Sequence, residues 1–273
     1  GEGFYLGVNN NPDGSTAGCI FNSLVERNYV HDLNGPNVSQ GDGIEIKDGS
    51  YNNTVRDNVI HDTNYPGVIV YGTDGKTLNT VERNVVWNTG DNGIQAAADA
   101  IVRNNIVFDS GGDAIHVRSH QRARPGNLRI VNNTVVQRTR GRTGIRVQRP
   151  RGGFTGPVVI ANNAIYATRG LQLPDDKRLR LAGNAGAGSP AGDTLPITEW
   201  NPGGKLADDL DRDYQPAEGS FLLGRADPAQ SPADDFSGRP RPNKTGIGAV
   251  SRRPGSPVMR IFPGFKPRPR SSP

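Results

Sequence analysis

The first two-thirds of the chain alternates single aliphatic positions with polar ones in a repeating pattern. An Asn marks each repeat, with one aliphatic residue three positions before it and another two positions after it. The interval between copies is 21 to 30 residues. Because polar residues flank each aliphatic position, the pattern has the period-2 alternation of short, half-buried strands. The recurring residues are Asn28, Asn58, Asn84, Asn105, Asn133 and Asn163.

A second landmark, a small residue followed by an apolar one, interleaves with the first. Its copies are Gly43-Ile44, Gly67-Val68, Gly93-Ile94, Ala114-Ile115, Gly144-Ile145 and Gly170-Leu171, with Gly3-Phe4 as an earlier member. Together the landmarks predict three short strands per repeat. A repeat of 21 to 30 residues is too short for a βαβ unit. Each strand then pairs in parallel with its copy in the next coil, at a spacing of about 4.8 Å. The sequence therefore predicts an all-β, right-handed parallel β-helix of about six to seven coils.

The repeated Asn has a structural explanation. At a turn between two strands, Asn tolerates a left-handed backbone. Its side-chain amide also matches the amide of the same Asn in the coils above and below. We therefore expect an asparagine ladder along the solenoid and assign no catalytic role to these residues.

The repeat divides the chain into three parts. Residues 1–185 are predicted to form the coils, with residues 181–184 as a last degenerate one. Residues 186–250 are predicted to form an irregular C-terminal cap, because residues 234–249 resemble the closing segment of bacterial β-helix proteins. Residues 251–273 are a basic, Pro/Arg-rich tail that we expect to be disordered. The first residues already lie in repeat register, which predicts further coils or a cap upstream.

Composition and charge narrow the classes of partner. Hydrophobic residues make up 33%, with 36 Gly and 21 Pro, as expected for short strands and many turns. The net charge is +5, but the tail alone carries six cationic residues and no acid, which leaves the body near −1. We therefore expect no nucleic-acid partner. One cysteine, Cys19, excludes an intrachain disulfide, and no apolar run is long enough to span a membrane.

The strand after the Gly landmark carries the candidate chemistry on its outward positions. Four adjacent coils would form a strip about 15–20 Å long, which suits a linear polymer. Cationic and amide side chains there would hold carboxylates and hydroxyls. The alternative is ordinary surface polarity, since every outer face is polar. The residues that form the strip are Glu45, Lys47, Tyr71, Gln95, His116, Arg118, Arg146 and Gln148.

The strand after the Asn has an unusually aromatic outward column. Aromatic side chains stack on sugar rings, but they also stack on one another from coil to coil. We expect mutual stacking, or cover by the C-terminal segment, rather than ligand binding. The column comprises His31, His61, Trp87, Phe108, Val136 and Tyr166.

Residues 41–58, GDGIEIKDGSYNNTVRDN, carry a family resemblance. They resemble bacterial right-handed β-helix proteins and, among these, the alginate and chondroitin lyases of polysaccharide lyase family six. The resemblance implies that Lys47 is a catalytic base and that Asp42 and Glu45 bind Ca²⁺. The family has a catalytic arginine one coil later, whereas residues 67–72 here contain none.

Without that arginine, Tyr71, His116 or Arg118 is left as the second catalytic residue. Glu45, Gln95, Arg146 and Gln148 would bind substrate. The resemblance implies β-elimination on an acidic, uronate-containing polysaccharide, in an extracellular, periplasmic or cell-surface location. A non-catalytic surface, adhesion or carbohydrate-binding module is the alternative. A glycoside hydrolase is a second alternative, although this face places few paired carboxylates across one bond.

Overall fold

The computed structural model describes residues 1–9, 18–192, 206–208, 213–243, 245–252 and 261. Within these residues, every regular element is a β-strand. The strands are β1 (Phe4–Leu6), β2 (Leu24–Glu26), β3 (Tyr29–Val30), β4 (Ile44–Ile46), β5 (Thr54–Arg56), β6 (Val59–Thr63), β7 (Val68–Val70), β8 (Asn79–Glu82), β9 (Val85–Thr89), β10 (Ile94–Ala96), β11 (Ala100–Arg103), β12 (Ile106–Phe108), β13 (Ile115–Val117), β14 (Leu128–Val131), β15 (Thr134–Gln137), β16 (Thr143–Val147), β17 (Val158–Ala161), β18 (Ala164–Leu173), β19 (Leu179–Ala182), β20 (Ala185–Gly192), β21 (Leu206–Asp208) and β22 (Asp213–Pro216).

Three faces are formed by parallel pairing between successive coils. Face 1, before the ladder Asn, comprises β2, β5, β8, β11, β14, β17 and β19. Face 2, after the Asn, comprises β3, β6, β9, β12, β15, the start of β18 and β20. Face 3, after the Gly landmark, comprises β1, β4, β7, β10, β13, β16 and the end of β18. The chain is thus a right-handed parallel β-helix, which confirms the predicted fold class.

The register of the strands matches the landmarks. On face 3, Ile44 pairs with Val68, which pairs with Ile94, and Ile94 pairs with Ile115. Phe4 pairs with Ile44, so the early Gly3-Phe4 copy belongs to the same column. The aliphatic positions of all three faces meet inside the coils in one continuous core. Burial of this column supplies the main driving force for stacking the coils.

The asparagine ladder is present along the corner between faces 1 and 2. Each Nδ2 donates to the next Oδ1 at 2.9 to 3.0 Å, and Asn184 extends the ladder by one coil. Each Oδ1 also accepts from the backbone N–H of the preceding ladder Asn, as Asn105 does from Asn84 at 2.9 Å. The buried amides are therefore fully used within the corner.

The left-handed backbone at this corner belongs to the residue before each ladder Asn, not to the ladder Asn as the sequence suggested. Positive φ occurs at Arg27, Asp57, Arg83, Asn104, Asn132 and Asn162, with values of 52° to 58°, and at Gly183. The turn is thus made one residue earlier. The ladder Asn then begins face 2 with its amide directed into the corner, where it meets its copies.

The Gly landmark is required by close packing at the corner between faces 2 and 3. A Cβ on Gly43 would lie 2.3 Å from the carbonyl oxygen of Gly67 and 2.5 Å from Cγ2 of Ile60. A Cβ on Gly93 would lie 2.4 Å from Cγ1 of Val107. The backbone of one coil therefore occupies the space that a side chain in the next would need.

The aromatic column of face 2 is a stack that the C-terminal segment covers. The rings of His61 and Trp87 are 4.2 Å apart and nearly parallel, and Trp87 stacks on Phe108 at 5.3 Å. A buried cluster joins this column to residues of the segment, namely Tyr214, Phe236, Ala249, Val250 and Ile261. Both structural interpretations of the column, stacking and cover, are therefore correct.

Polar contacts fix the same segment along the corner between faces 1 and 2. Arg83 donates to Asp57 at 2.9 Å and to Asp234 at 2.7 Å. Arg241 donates to Oδ1 of Asn104 at 2.7 Å, and Asp227 N donates to Oδ1 of Asn162 at 2.7 Å in the same way. The segment therefore uses side chains at the left-handed positions as its docking points over several coils.

The described part of the predicted tail is small. Ser251 is buried and Arg252 is half-buried, and Ile261 lies buried in the cluster under face 2. The remaining residues of 251–273, and much of the stretch 193–212, lie outside the described residues. The prediction of a disordered tail therefore concerns residues that mostly lie outside the described ones.

Candidate functional site

Face 3 carries two polar clusters on its outer side. The first cluster spans β1, β4 and β7, and we call it the proximal centre; it contains Glu45, Lys47 and Tyr71. The second cluster spans β10, β13 and β16 and contains Gln95 and His116; we call it the distal cluster. Their core side chains are nearly inaccessible, with Lys47 at 2% and Gln95 at 1% exposure. This degree of burial is unusual for charged and amide side chains on the outer side of a sheet.

The proximal centre is organised around the Lys47 ammonium. Its Nζ lies 2.5 Å from Glu45 Oε1 and 3.5 Å from the Tyr71 hydroxyl. The same Nζ lies 4.5 Å from the centroid of the Tyr71 ring and 4.8 Å from that of Tyr5. Tyr5 is 42% exposed, so its ring borders the centre on the solvent side. A buried cation held by one carboxylate and two aromatic rings results.

His120 joins the proximal centre although the repeat did not predict it. It lies in the connection from β13 to β14, where a tight turn closed by His120 and Ala123 folds back towards earlier coils. Ala123 packs with Tyr71, and the His120 ring meets the Tyr71 ring edge-on at 5.5 Å. No strand position signals this residue, because it reaches the centre through a loop that spans more than one coil.

Burial and nearby charges shift the pKa values of His120 and Tyr71 in opposite directions. Burial lowers the pKa of His120, and the positive charges of Arg118 and Lys47 act in the same direction. Burial raises the pKa of Tyr71 above its usual range, and the Glu45 carboxylate adds to this effect. At neutral pH, His120 is therefore a neutral base and Tyr71 a protonated phenol.

Three carboxylates, including that of Glu45, lie close together at one side of the proximal centre. Glu2, Asp42 and Glu45 place one oxygen each within 4.8 Å of one another. Burial, followed by the charges of Glu45 and Glu2, raises the pKa of Asp42 to about 7. Such a set suits a hard cation with oxygen ligands and supplies three of the six to eight oxygens that Ca²⁺ takes. The Ca²⁺ ligands implied by the sequence, Asp42 and Glu45, thus lie together, and Glu2 joins them.

The raised pKa of Asp42 makes stability depend on pH. Its folded-state pKa lies above the ordinary 3.8, so the folded protein loses stability as pH rises from 3.8 to about 7. We expect this loss to be about 1–2 kcal/mol, discounted for the partial exposure of the carboxyl. Asp42→Asn should abolish it, and millimolar Ca²⁺ should reverse it in the unaltered protein near pH 7. Urea unfolding between pH 4 and pH 7, with and without Ca²⁺, measures both effects.

Asp74→Asn is the matched control, because Asp74 is exposed and its left-handed backbone suits Asn. Its stability should follow that of the unaltered protein at every pH. A pH-independent difference between Asp42→Asn and the unaltered protein would contradict the titration of Asp42. An equal effect of Ca²⁺ on both variants would contradict the cation site.

The distal cluster links three coils through hydrogen bonds. Asn92 donates to Gln95 Oε1 at 2.9 Å, and its Oδ1 lies 3.2 Å from Nδ1 of His116. The same Nδ1 lies 3.3 Å from Asp113 Oδ2. Burial lowers the pKa of His116 to about 4, although Asp113 acts against the shift. Asp113 also accepts from the backbone of Thr143 at 2.8 Å, which fixes its position.

The structure thus divides the candidate site residues between the two clusters. Glu45, Lys47, Tyr71 and Asp42 meet in the proximal centre. The remaining predicted residues belong to the distal side, where Gln148 is half-buried and next to the cluster; they are Gln95, His116, Arg118, Arg146 and Gln148. Two proposed partners of Lys47, His116 and Arg118, are therefore placed in the other cluster.

The cations of the coils are strongly segregated along the chain. Residues 118–180 contain fourteen Lys and Arg and two Asp, whereas residues 1–117 contain six Lys and Arg and fifteen acids. Most of the cations between 118 and 180 are exposed, including Arg122, Arg124, Arg149 and Arg151. The net charge of residues 1–250 is near −1, so this separation does not appear in the sum. The later coils therefore present a positive surface.

The fold and its columns define a solenoid protein of the right-handed parallel β-helix class. A family model described as "Right handed beta helix region" matches residues 2–150, and the chain belongs to this family. Neither the curated proteins nor the solved structures contain a match to the chain. Among the described residues, no helix is long and apolar enough to cross a membrane.

Proposed function

We propose that the protein is a polysaccharide lyase that binds an acidic, uronate-containing polymer along face 3 and cleaves it by β-elimination. The convergence of Lys47, Tyr71 and His120 in the proximal centre carries this proposal. The three residues come from the ends of two neighbouring strands and one distant loop, yet Lys47 and His120 both contact the Tyr71 side chain. They supply a cation, a protonated phenol and a neutral base, which are the three groups that β-elimination at a uronate needs.

Each group has one role in the reaction. Lys47 faces the uronate carboxylate and neutralises it, which makes the C5 proton more acidic. His120 removes that proton, the electron pair forms the C4–C5 double bond, and the bond from C4 to the glycosidic oxygen breaks. Tyr71 donates its proton to the leaving oxygen and is reprotonated through solvent. We give the base role to His120 rather than Lys47 because Lys47 is paired with Glu45 at 2.5 Å.

A calcium ion held by Glu2, Asp42 and Glu45 would supply further positive charge for the carboxylate. Its site adjoins the Lys47–Glu45 pair through the shared Glu45. This chain's residues would then hold the ion at one end of the centre and keep the reacting sugar beside Tyr71. The segregated cations of residues 118–180 support the same substrate class, because they attract a polyanion to the later coils. Such a substrate implies a location outside the cytoplasm.

A screen of acidic polysaccharides tests the proposed reaction. The protein is incubated with alginate, pectate and glycosaminoglycans in buffer with Ca²⁺, and the ultraviolet absorbance of unsaturated uronate is followed. We expect a steady increase with at least one polymer and none with neutral glucans. Lys76→Ala is the matched control for variants of Lys47, because Lys76 is exposed and its Nζ lies 4.8 Å from the centroid of the Tyr51 ring, which is not part of the proximal centre.

The burial of the centre favours a second candidate, a non-catalytic carbohydrate-binding module. Lys47 is only 2% exposed, so a substrate must displace side chains to reach it. If no polymer in the screen yields absorbance while one binds in a sedimentation assay, the binding module is correct and the lyase proposal is wrong.

A further inference from the structure

Two buried nitrogens of the distal cluster lack a hydrogen-bond partner among the described residues. They are Nε2 of Gln95 and Nε2 of His116. The two residues are direct register partners on β10 and β13, so their side chains are neighbours on the outer side of face 3. Buried polar atoms in folded proteins almost always have a partner. Two such atoms on neighbouring side chains therefore point to a bound group that completes them.

The surrounding hydrogen bonds define what each nitrogen offers. Asn92 Nδ2 and Arg118 Nε both donate to Gln95 Oε1, at 2.9 and 3.1 Å, which leaves the Gln95 amide as a free donor. Asp113 N donates to Asn92 Oδ1, so the atom facing His116 Nδ1 is an acceptor. Nδ1 of His116 therefore carries the ring proton, and Nε2 presents a lone pair.

A donor beside an acceptor fits one hydroxyl group. The hydroxyl oxygen accepts from Gln95 Nε2, and its hydrogen is donated to His116 Nε2. A pKa of about 4 keeps His116 neutral, and thus an acceptor, at neutral pH. A hydrogen-bonding contact with the Gln148 side chain partly offsets the lowering of the His116 pKa, but no hydrogen bond of normal geometry reaches His116 Nε2. Gln95 Nε2 and His116 Nε2 are thus matched to a neutral polar group rather than to a charged one.

Two guanidinium groups close the cluster towards solvent. Arg118 and Arg146 have side chains 34% and 35% exposed. Their carboxylate partners are loose, with Arg118 3.4 Å from Asp91 and Arg146 3.6 Å from Asp113. Both groups can therefore turn to an anion without losing a close ion pair.

We propose that the distal cluster is a uronate subsite. It binds one sugar by a hydroxyl between Gln95 and His116 and by its carboxylate on Arg118 and Arg146. The proposal rests on the proposed function in one respect, the path of the polymer along face 3. Gln95 and His116 lie two and three coils from Glu45, about 10–14 Å along the axis. The subsite therefore holds a sugar two or three units away from the bond that is cut.

Nuclear magnetic resonance of the full chain, labelled with ¹⁵N at histidine, tests the subsite. The chain has four His, so the signals can be assigned by substitution. The probe is tetragalacturonate, added to the Tyr71→Phe variant so that it is not consumed, with maltotetraose as the neutral control. We expect saturable movement of the His116 Nε2 signal with tetragalacturonate and little with maltotetraose.

Two variants of the subsite should weaken the probe's binding by about tenfold or more. Gln95→Glu removes the donor without changing the shape, and Arg118→Ala removes a partly exposed cation together with its hydrogen bond to Gln95 Oε1. Arg180→Ala, an exposed arginine on face 1, is the matched control and should bind like the Tyr71→Phe parent. An unmoved His116 signal at saturation, or equal movement with maltotetraose, would overturn the subsite.

These experiments distinguish a failure of the proposed subsite from a failure of the proposed reaction. Movement of His116 on binding, in a protein that cleaves no polymer, would support the subsite and overturn the lyase. Cleavage by the unaltered protein without any effect of Gln95→Glu or Arg118→Ala on binding would support the lyase and overturn the subsite.

Discussion

Replacing Asn105 with alanine is expected to lower the free energy of unfolding by about 3–5 kcal/mol. Asn105 lies in the middle of the ladder and is fully buried. Its Nδ2 donates to Asn133 Oδ1 at 3.0 Å and to the Val81 carbonyl at 2.9 Å. Its Oδ1 accepts from both the side chain and the backbone of Asn84. Alanine removes these bonds and leaves buried partners unsatisfied in two neighbouring coils.

Urea unfolding followed by circular dichroism measures the loss. Asn37→Ala is the matched control, since Asn37 is exposed in the connection from β3 to β4 and should change stability by less than about 0.5 kcal/mol. Asn105→Asp keeps the shape and both acceptor bonds but loses the donors, so its effect should also be large. Equal stabilities for Asn105→Ala and Asn37→Ala would show that the ladder does not hold the coils together.

Replacing Lys47 with methionine is expected to lower kcat/KM for elimination by about 10²–10³-fold. Methionine keeps the length and apolar packing of the stem against Tyr5 and Tyr71 but removes the charge that neutralises the uronate carboxylate. Because the change leaves the buried Glu45 without its partner, it also lowers stability. The comparison of rates is therefore made well below the melting temperature of the variant, with Lys76→Ala as the control.

Two milder variants keep this prediction testable if Lys47→Met does not fold. Tyr71→Phe removes only the hydroxyl and should lower kcat more than it changes KM. The rate of the unaltered protein should rise with pH through the pKa of His120, which lies below 6.5, and level off near neutrality, since only the unprotonated ring is a base. His120→Gln should remove this acid limb. A retained limb would assign the base to another residue.

The sequence predicts the coils well because their physics is periodic. A ladder Asn and a small corner residue, Gly or Ala, recur along the coils, and each has a local reason that does not depend on the rest of the fold. The inward aliphatic residues, such as Val55 and Val81, follow from period-2 alternation alone, and their register is as predicted. The placement of the left-handed residue was wrong by one position, since the side-chain pattern does not show which residue of a turn takes positive φ. The coils also continue past residue 185, because β20 pairs in parallel with β18 as far as Gly192.

The candidate site is less predictable because it depends on contacts that do not repeat. Positions along a column identify Lys47 and Tyr71 as neighbours, and the structure places Lys47 Nζ 3.5 Å from the Tyr71 hydroxyl. His120 reaches the same point through a loop, so no column contains it. The division of the strip into two clusters also escaped the sequence, because it depends on which loops fold over the face. The segregation of charge was visible in the residues but was hidden when the whole body was summed.

The masses of the products formed from an acidic polymer test the central claim most directly. In β-elimination the bond breaks without water, so the fragment with the new non-reducing end is lighter by one water than the product of hydrolysis. For digestion by the unaltered protein, we predict mass spectra containing this unsaturated fragment, and we predict its loss with Lys47→Met but not with Lys76→Ala. Saturated fragments that contain an added water would contradict the account, and so would unsaturated fragments that persist undiminished with Lys47→Met.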